Sequence, residues 1–164
     1  MKANVLILMG SDSDLPIMEA CSKMLDDFKI TYFMTVSSAH RTPDRTVKLI
    51  RDAEKGGAQL IICGAGQAAH LAGVVAAHTT LPVIGIPIDA SSLEGVDALY
   101  STVMMPPGIP VATMAIGKSG AKNAGIFAAQ IIGLKDKKMA RALKAFKKKM
   151  AAEVVKKAKK VENK

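Results

Sequence analysis

Short apolar stretches recur along the chain and alternate with segments of helical periodicity. The stretches Asn4–Met9, Ile30–Val36, Gln59–Cys63, Pro82–Ile86 and Ile109–Met114 predict five strands. Because these stretches show no polar alternation and helical segments separate most of them, they indicate a parallel sheet covered by helices on both faces. The pattern therefore predicts an α/β fold.

Apolar residues at spacings of three and four predict the helices between the strands. The first helix contains Ile17 and Phe28, and the second begins at Pro43, a residue that suits the first turn of a helix. The stretches Ala68–His78 and Gly120–Leu134 predict two more helices.

The C-terminal segment predicts one long helix over residues 135–160, in which Met139, Leu143 and Met150 belong to an apolar stripe. Such a stripe needs a surface to cover. Packing on its own domain or on a neighbouring subunit is favoured over a nucleic-acid or acidic-membrane arm. We expect a single α/β catalytic domain over residues 1–134 and a basic helical extension over residues 135–164.

The net charge of +9 is unevenly distributed. Residues 135–164 hold thirteen Lys and Arg against three Asp and Glu, whereas residues 1–134 hold ten against eleven. The basic character therefore belongs to the tail, which weakens any argument from overall charge to a DNA-binding groove. We expect no nucleic-acid partner.

Targeting signals are also missing from the pattern. Met1 leads almost directly into the first predicted strand, which leaves no room for a signal peptide, and no apolar run reaches the roughly 20 residues that span a bilayer. We expect a cytoplasmic protein without a membrane partner, in which Cys21 and Cys63 are buried free thiols.

Polar loops follow the first two predicted strands, at the sheet edge where ligands of parallel α/β folds bind. The first loop offers Ser11, Ser13 and Asp14, which can bind an anion or can simply cap the following helix. The second loop offers Ser38 and Arg41. The arginine can pair with a phosphate, or it can be a surface residue of a helix-entry turn.

The third loop contains a motif that matches a dinucleotide-binding fingerprint. Gly64–Ala69 satisfies the dinucleotide fingerprint G-x-G-x-x-G/A, and Asp89 lies about twenty residues further on. The fingerprint belongs in the first strand–helix unit, however, so dinucleotide binding is disfavoured. His70 directly behind the glycines is the acid–base candidate, because an imidazole gains and loses a proton near neutral pH. His40 either lines the same site or points outward.

Several reaction classes lack support in the sequence. It contains no G-x-S-x-G elbow, no metal-ligand cluster and no P-loop. Serine acyl transfer, zinc hydrolysis and nucleotide hydrolysis are therefore disfavoured. The reaction class that remains is proton transfer on a bound phosphorylated compound.

Four motifs occur in order along the chain: Gly10-Ser-Asp-Ser-Asp14, Ser38-Ala-His-Arg-Thr-Pro43, Gly64-Ala-Gly-Gln-Ala-Ala-His-Leu71, and Met105-Pro-Pro-Gly-Ile-Pro110 followed by Ala115-Ile-Gly117. Together they resemble the family of bacterial N5-carboxyaminoimidazole ribonucleotide mutases, which are isomerases of purine (IMP) biosynthesis. The similarity runs from about residue 4 to residue 134. It implies a three-layer, flavodoxin-like (Rossmann-like) fold and a homo-octamer in which the C-terminal helix packs on neighbouring subunits.

The resemblance also implies a reaction and a set of site residues. A carboxylate moves from the exocyclic nitrogen to ring carbon C4 of an aminoimidazole ribonucleotide, by release and recapture of carbon dioxide. His70 matches the histidine that shuttles the proton, and no metal or organic cofactor is implied. The resemblance implies that Ser11, Ser38 and Arg41 bind the phosphate and that Asp14 binds the ribose hydroxyls. It implies that His40 and the backbone of Ala65–Ala69 form the walls around the carboxylate. Ala65, Gly66 and Leu71 are counted among the substrate-binding residues.

The chain departs from that family pattern at Gln67 and Ala72, where glycine and proline are usual. Gln67 adds a bulky polar group beside the implied carboxylate pocket. A related carboxylase uses free carbon dioxide and typically carries Gly-Arg-Ser-Asn in the third loop, which Gly66–Ala69 does not resemble. A nicotinamide dehydrogenase or a nucleic-acid-binding scaffold would be supported by saturable NADH binding or by salt-dependent duplex binding through the tail.

Overall fold

Five parallel strands form one sheet within the described residues. A computed structural model describes residues 2–163, which divide after Ala128 into two compact units. The strands are β1 (Val5–Met9), β2 (Tyr32–Val36), β3 (Leu60–Gly66), β4 (Val83–Ile88) and β5 (Ala112–Thr113).

The strand order is β2-β1-β3-β4-β5 and every neighbouring pair is parallel. This is the order of flavodoxin-like sheets, so the predicted fold class is confirmed. β1 pairs with β2 on one side and with β3 on the other, and the strand order therefore reverses between β1 and β3. Ligands of this fold bind at such a switch point, outside the carboxyl ends of the strands.

Helices follow the strands, as predicted. A short 3-10 turn, Asp12–Asp14, precedes the first of them. Over residues 2–163 the helices are α1 (Leu15–Asp27), α2 (Pro43–Lys55), α3 (Leu71–Ala77), α4 (Val96–Val103), α5 (Gly117–Gly133) and α6 (Lys137–Glu162).

Alternate residues of the central strands face opposite helix layers, because successive side chains of a strand point to opposite sides. Leu6 and Cys63 belong to a buried cluster that contains Ile50 of α2 and Val75 of α3. On the other face, glycine lets a helix come close: a Cβ at Gly64 would overlap the thioether of Met18 in α1.

The helix α4 is a feature that the sequence pattern did not predict. Its apolar side chains Val96, Tyr100 and Val103 are exposed, whereas its buried side is formed by Ala98 and Thr102. The apolar stripe, which normally marks the buried face of a helix, therefore lies on the exposed face of α4. The buried face is formed by small residues of low hydrophobicity.

The strand β5 is shorter than predicted. It comprises Ala112–Thr113 instead of Ile109–Met114. Pro110 lies inside the predicted strand and has no N–H to donate to a sheet ladder, so pairing begins only beyond it.

The strand β3 is longer than predicted, and this changes the third loop. Gly64, Ala65 and Gly66 pair with residues of β4, where Gly66 stands opposite Ile88. The helix α3 then begins at Leu71 instead of Ala68. The glycines of the dinucleotide-like motif thus belong to a strand and not to the tight turn that cradles a pyrophosphate, so the structure also disfavours dinucleotide binding.

The predicted C-terminal helix is confirmed as α6. It begins after Asp136, whose side chain accepts hydrogen bonds from the backbone N–H groups of Lys138 and Met139 at 2.7 and 3.1 Å. Farther along, Met150 and Val154 of the apolar stripe are 42% and 65% exposed. The surface that this stripe covers, and the boundary at residues 134 and 135, stay predictions.

Both cysteines are buried free thiols, as predicted. Burial raises the pKa of Cys21 to about 12, and it raises the pKa of Cys63 as well. Neither thiol is therefore a nucleophile at neutral pH. Within residues 2–163, none of the helices combines the length and the apolar character that a membrane crossing requires.

Candidate active site

The three polar loops meet around an open cavity of about 440 Å³ at the carboxyl ends of β1, β2 and β3. The cavity lies at the switch point of the sheet, where the fold class predicts a ligand site. Every site residue that the sequence predicted lines it, namely Ser11, Asp14, Ser38, His40, Arg41, Ala65, Gly66, His70 and Leu71.

The first loop is held by reciprocal capping contacts. The Ser11 side chain accepts a hydrogen bond from Ser13 N–H at 3.4 Å, and the Asp14 carboxylate accepts one from Ser11 N–H at 3.0 Å. This arrangement is a capping box that closes the short 3-10 turn Asp12–Asp14, whereas the Asp14 side chain does not cap α1 itself. Both side chains nevertheless border the cavity, which leaves them accessible to a ligand.

Asp14 is only 4% exposed although it carries a carboxyl group. Burial raises its pKa above the usual 3.8, and the backbone hydrogen bonds from Ser11 and Gly10 partly oppose that rise. No arginine or lysine makes an ion pair with it within residues 2–163. The site therefore keeps a buried carboxyl group whose remaining acceptor capacity is not used by a cation.

The second loop positions Arg41 at the cavity. Its Nε–H and its backbone N–H both donate to Ser38 Oγ, at 3.4 and 3.2 Å, and its Nη2 group donates to the carbonyl oxygen of Gly10 at 3.3 Å. The guanidinium is thus connected to the first loop and retains further N–H groups for an anion.

The conformation of the second loop depends on hydroxyl groups. Thr42 Oγ1 accepts a hydrogen bond from Ser38 N–H at 3.1 Å and donates one to Ser38 O at 3.0 Å. Below it, the buried hydroxyls of Ser37 and Thr46 lie 2.8 Å apart, which joins the end of β2 to α2. These contacts hold Ser38 and Arg41 in place.

Two histidines from different loops are in direct contact. His40 Nε2 lies 2.8 Å from His70 Nδ1, and the rings are nearly perpendicular, at 83° with centroids 4.9 Å apart. One of these nitrogens must carry the hydrogen and the other must accept it. His40 therefore lines the site, and the outer nitrogens, His40 Nδ1 and His70 Nε2, remain for a ligand.

Three cavity residues were not singled out by the sequence reasoning: Gly10, Ala39 and Ala90. Gly10 contributes a carbonyl oxygen to Arg41, a backbone role that leaves no signal in side-chain chemistry. Ala90 follows β4 at the same sheet edge as the other loops, so the strand-end rule could have found it. Among the described side chains no group of three or more His, Cys, Asp or Glu is placed to hold a metal ion.

Comparisons with known proteins identify the family of the chain. A family model described as AIR carboxylase matches residues 4–153. A protein of Thermotoga maritima named N5-carboxyaminoimidazole ribonucleotide mutase is 53% identical over 156 residues, which cover 95% of this chain and 90% of that protein. The chain belongs to the AIR carboxylase family and is an enzyme, as the resemblance implied.

Two further matches extend the comparison. A Candida glabrata protein named phosphoribosylaminoimidazole carboxylase is 48% identical over 162 residues, which cover 99% of this chain but only 28% of that protein. The crystal structure of Treponema denticola PurE has a TM-score of 0.87 at 32% identity and is covered over 96% of its length by 95% of this chain.

The buried carboxyl group gives a pH-dependent stability prediction. Because the folded state raises the pKa of Asp14, the folded protein binds this proton more tightly than the unfolded chain does, and the group favours folding increasingly as the pH falls through the raised pKa towards 3.8. The amide of an Asp14→Asn variant cannot titrate. The melting temperature of the wild type relative to Asp14→Asn should therefore be higher at pH 4 than at pH 7; a difference that is unchanged or reversed would contradict the raised pKa.

Proposed function

We propose that the chain converts N5-carboxyaminoimidazole ribonucleotide into 4-carboxyaminoimidazole ribonucleotide, a mutase step of purine biosynthesis, by decarboxylation and recarboxylation. The observation that carries this proposal is that one cavity contains an anchored arginine, a buried carboxyl group and a contacting pair of imidazoles. The names of the bacterial relatives support the same reaction.

The phosphate of the ribonucleotide binds to Arg41 with Ser11 and Ser38. Arg41 is already oriented by Gly10 O and by Ser38 Oγ, so little side-chain freedom is lost when an anion binds. Hydroxyl groups of the two serines add neutral donors. Phosphate binding at this end of the cavity supplies the binding energy that positions the aminoimidazole ring of the substrate for reaction.

The ribose hydroxyls bind to Asp14. One of its oxygens, Oδ2, accepts the N–H of Ser11, and the carboxyl group retains further acceptor capacity for a sugar hydroxyl. Because the carboxyl group is buried and no Lys or Arg of the described chain pairs with it, a ribose diol would satisfy acceptors that these residues leave open.

The reacting end of the substrate lies against Ala65, Gly66, Leu71 and His40. Gly66 closely approaches Ala90, and Leu71 is only 3% exposed, so this wall is tightly packed and mainly alkyl. Released carbon dioxide must be kept from water until it is recaptured. A wall of this composition favours that retention.

The proton balance of the reaction needs one exchangeable proton. When the bond between the exocyclic nitrogen and the carboxylate carbon breaks, the electron pair stays on nitrogen, which takes up a proton. When C4 attacks carbon dioxide and a carbon–carbon bond forms, C4 loses its proton. A single group that gives one proton and takes one back therefore closes the cycle.

The imidazole pair supplies that group, with His70 as the shuttle. Its contact with His40 through Nδ1 fixes the orientation of its ring, because a 2.8 Å hydrogen bond between perpendicular rings leaves little rotation. The proton is exchanged at the outer nitrogen of His70, and His40 holds the ring.

The alternative within the family, whose model is described as AIR carboxylase, is a carboxylase that takes free carbon dioxide. Both activities need the same phosphate and ribose contacts, so the geometry of the cavity alone does not separate them. The third-loop sequence Gly66–Ala69 favours the mutase.

The assembly proposed with this function is a cytoplasmic homo-octamer. Apolar side chains near α4 support a subunit contact, since Leu93, Tyr100 and Met104 are 61%, 62% and 76% exposed. The exposed apolar stripe of α6 is a second candidate contact.

The direct test of the function is a paired assay on purified protein. N5-carboxyaminoimidazole ribonucleotide should be converted in the presence of a chelator and without ATP, whereas aminoimidazole ribonucleotide with bicarbonate should react far more slowly at the same enzyme concentration. Equal or faster reaction of the second pair would identify a carboxylase and contradict the mutase.

The proton shuttle is tested by matched substitutions of the two histidines. His70→Asn should lower kcat by about a hundredfold or more while ribonucleotide affinity is kept, because general acid–base groups commonly contribute that much. His40→Asn should retain part of the activity, since His40 acts through His70. Full turnover in His70→Asn together with loss in His40→Asn would move the shuttle to His40 and overturn the assignment.

The assembly is tested by sedimentation. The wild type should sediment as an octamer, and Tyr100→Glu should shift it to smaller species because a charge cannot be buried unpaired in an apolar contact. Lys29→Glu, at an exposed turn, is the matched control and should leave the octamer intact. A wild type that sediments as a monomer contradicts the proposed assembly.

A further inference from the structure

One residue at the mouth of the cavity has a backbone conformation that its type rarely adopts. Among residues 2–163, the non-glycine residues with a positive φ are Lys29, Gln67 and Glu94, at 58°, 53° and 52°. Such a conformation costs free energy in a residue with a Cβ. Of the three, only Gln67 lines the cavity.

The residues on either side of Gln67 restrict its backbone conformation. A Cβ at the preceding Gly66 would lie 2.6 Å from the Cβ of Ala90, so the chain passes tightly against the end of β4. On the other side Ala69 is only 2% exposed, and His70 N–H donates to Ala68 O at 2.8 Å. The left-handed conformation of Gln67 is therefore imposed by its neighbours.

The side chain of Gln67 is also the one polar side chain in the segment Ala65–Ala69, which forms part of the cavity wall. From Ala65 to Ala69 every other residue is alanine or glycine, so Gln67 contributes the one side-chain hydrogen-bond donor of the segment. It is exposed at the cavity and makes no hydrogen bond with other described residues. A carboxylate placed against the segment Ala65–Ala69 would find one side-chain donor, the amide N–H2 group of Gln67, in addition to the His40 ring opposite and to backbone and alkyl groups.

We infer that the side-chain amide of Gln67 donates a hydrogen bond to the carboxylate of the bound ribonucleotide and thereby selects the carboxylated over the uncarboxylated nucleotide. This inference rests on the proposed function, and it makes Gln67 a specificity residue at a position where its backbone conformation alone would favour glycine. A hydrogen bond to a charged acceptor is strong enough for the selection to be measurable.

The test is equilibrium binding of two ligands, 4-carboxyaminoimidazole ribonucleotide and aminoimidazole ribonucleotide, measured by calorimetry. Gln67→Ala should weaken binding of the first about tenfold and leave binding of the second nearly unchanged. Gln67→Glu, which keeps the size and replaces the donor by a negative charge, should weaken binding of the first still further. Equal losses for both ligands, or no loss, would overturn the inference.

A matched pair of glycine substitutions separates the backbone from the side chain. Gln67→Gly and Lys29→Gly each remove a Cβ at a positive φ, so both should raise the melting temperature, by about 2–4 °C. Only Gln67→Gly should weaken binding of the carboxylated nucleotide, since Lys29 lies in the turn between α1 and β2, outside the cavity lining. A gain of affinity in Gln67→Gly would show that the side chain obstructs the ligand and would overturn the inference.

Failure of this inference is distinct from failure of the proposed function. If the wild type does not convert N5-carboxyaminoimidazole ribonucleotide, the proposed function fails and the inference fails with it. If the wild type converts it and Gln67→Glu keeps the wild-type ratio of the two affinities, only the inference fails.

Discussion

The cavity depends on the two backbone groups of Gly10. Its N–H donates to Gly64 O at 3.1 Å and continues the β1–β3 ladder past the end of β1, while its carbonyl oxygen accepts from Arg41 at 3.3 Å. The first loop is thereby attached to the third through the sheet and to the second through a guanidinium. Because all three loops are tied to one residue, their side chains share one cavity instead of standing apart along the sheet edge.

Much of the sheet and most helices could be predicted from the sequence, because their large apolar side chains are the ones that are buried. β1 and β4 are buried on both faces, which yields uninterrupted apolar stretches, and Pro43 marks the first residue of α2. The helix α4 could not be found in that way. Its buried residues, Ala98 and Thr102, are small or polar, and a periodicity argument assigns the core to the larger apolar side chains of the opposite face.

Most residues that line the cavity could be predicted from the sequence, but the contacts between them could not. The rule that ligands bind at the carboxyl ends of parallel strands is topological, so it applied without any knowledge of side-chain positions. The contact between His40 and His70 joins residues 30 positions apart and depends on how two loops pack. Similarly, Gly64 and Gly66 suggest a turn in isolation, and only pairing with β4 makes them part of a strand.

Positions 66 and 67 of the third loop differ in the side chains that they can accommodate. At position 66 any side chain would collide with Ala90 at the end of β4, so change there would disturb the sheet itself. At position 67 the backbone is unfavourable for a Cβ, yet the space beyond it is open to solvent and to the cavity. A different side chain is therefore easier to place at position 67 than at position 66, and it would change the polarity of the cavity wall without disturbing the sheet.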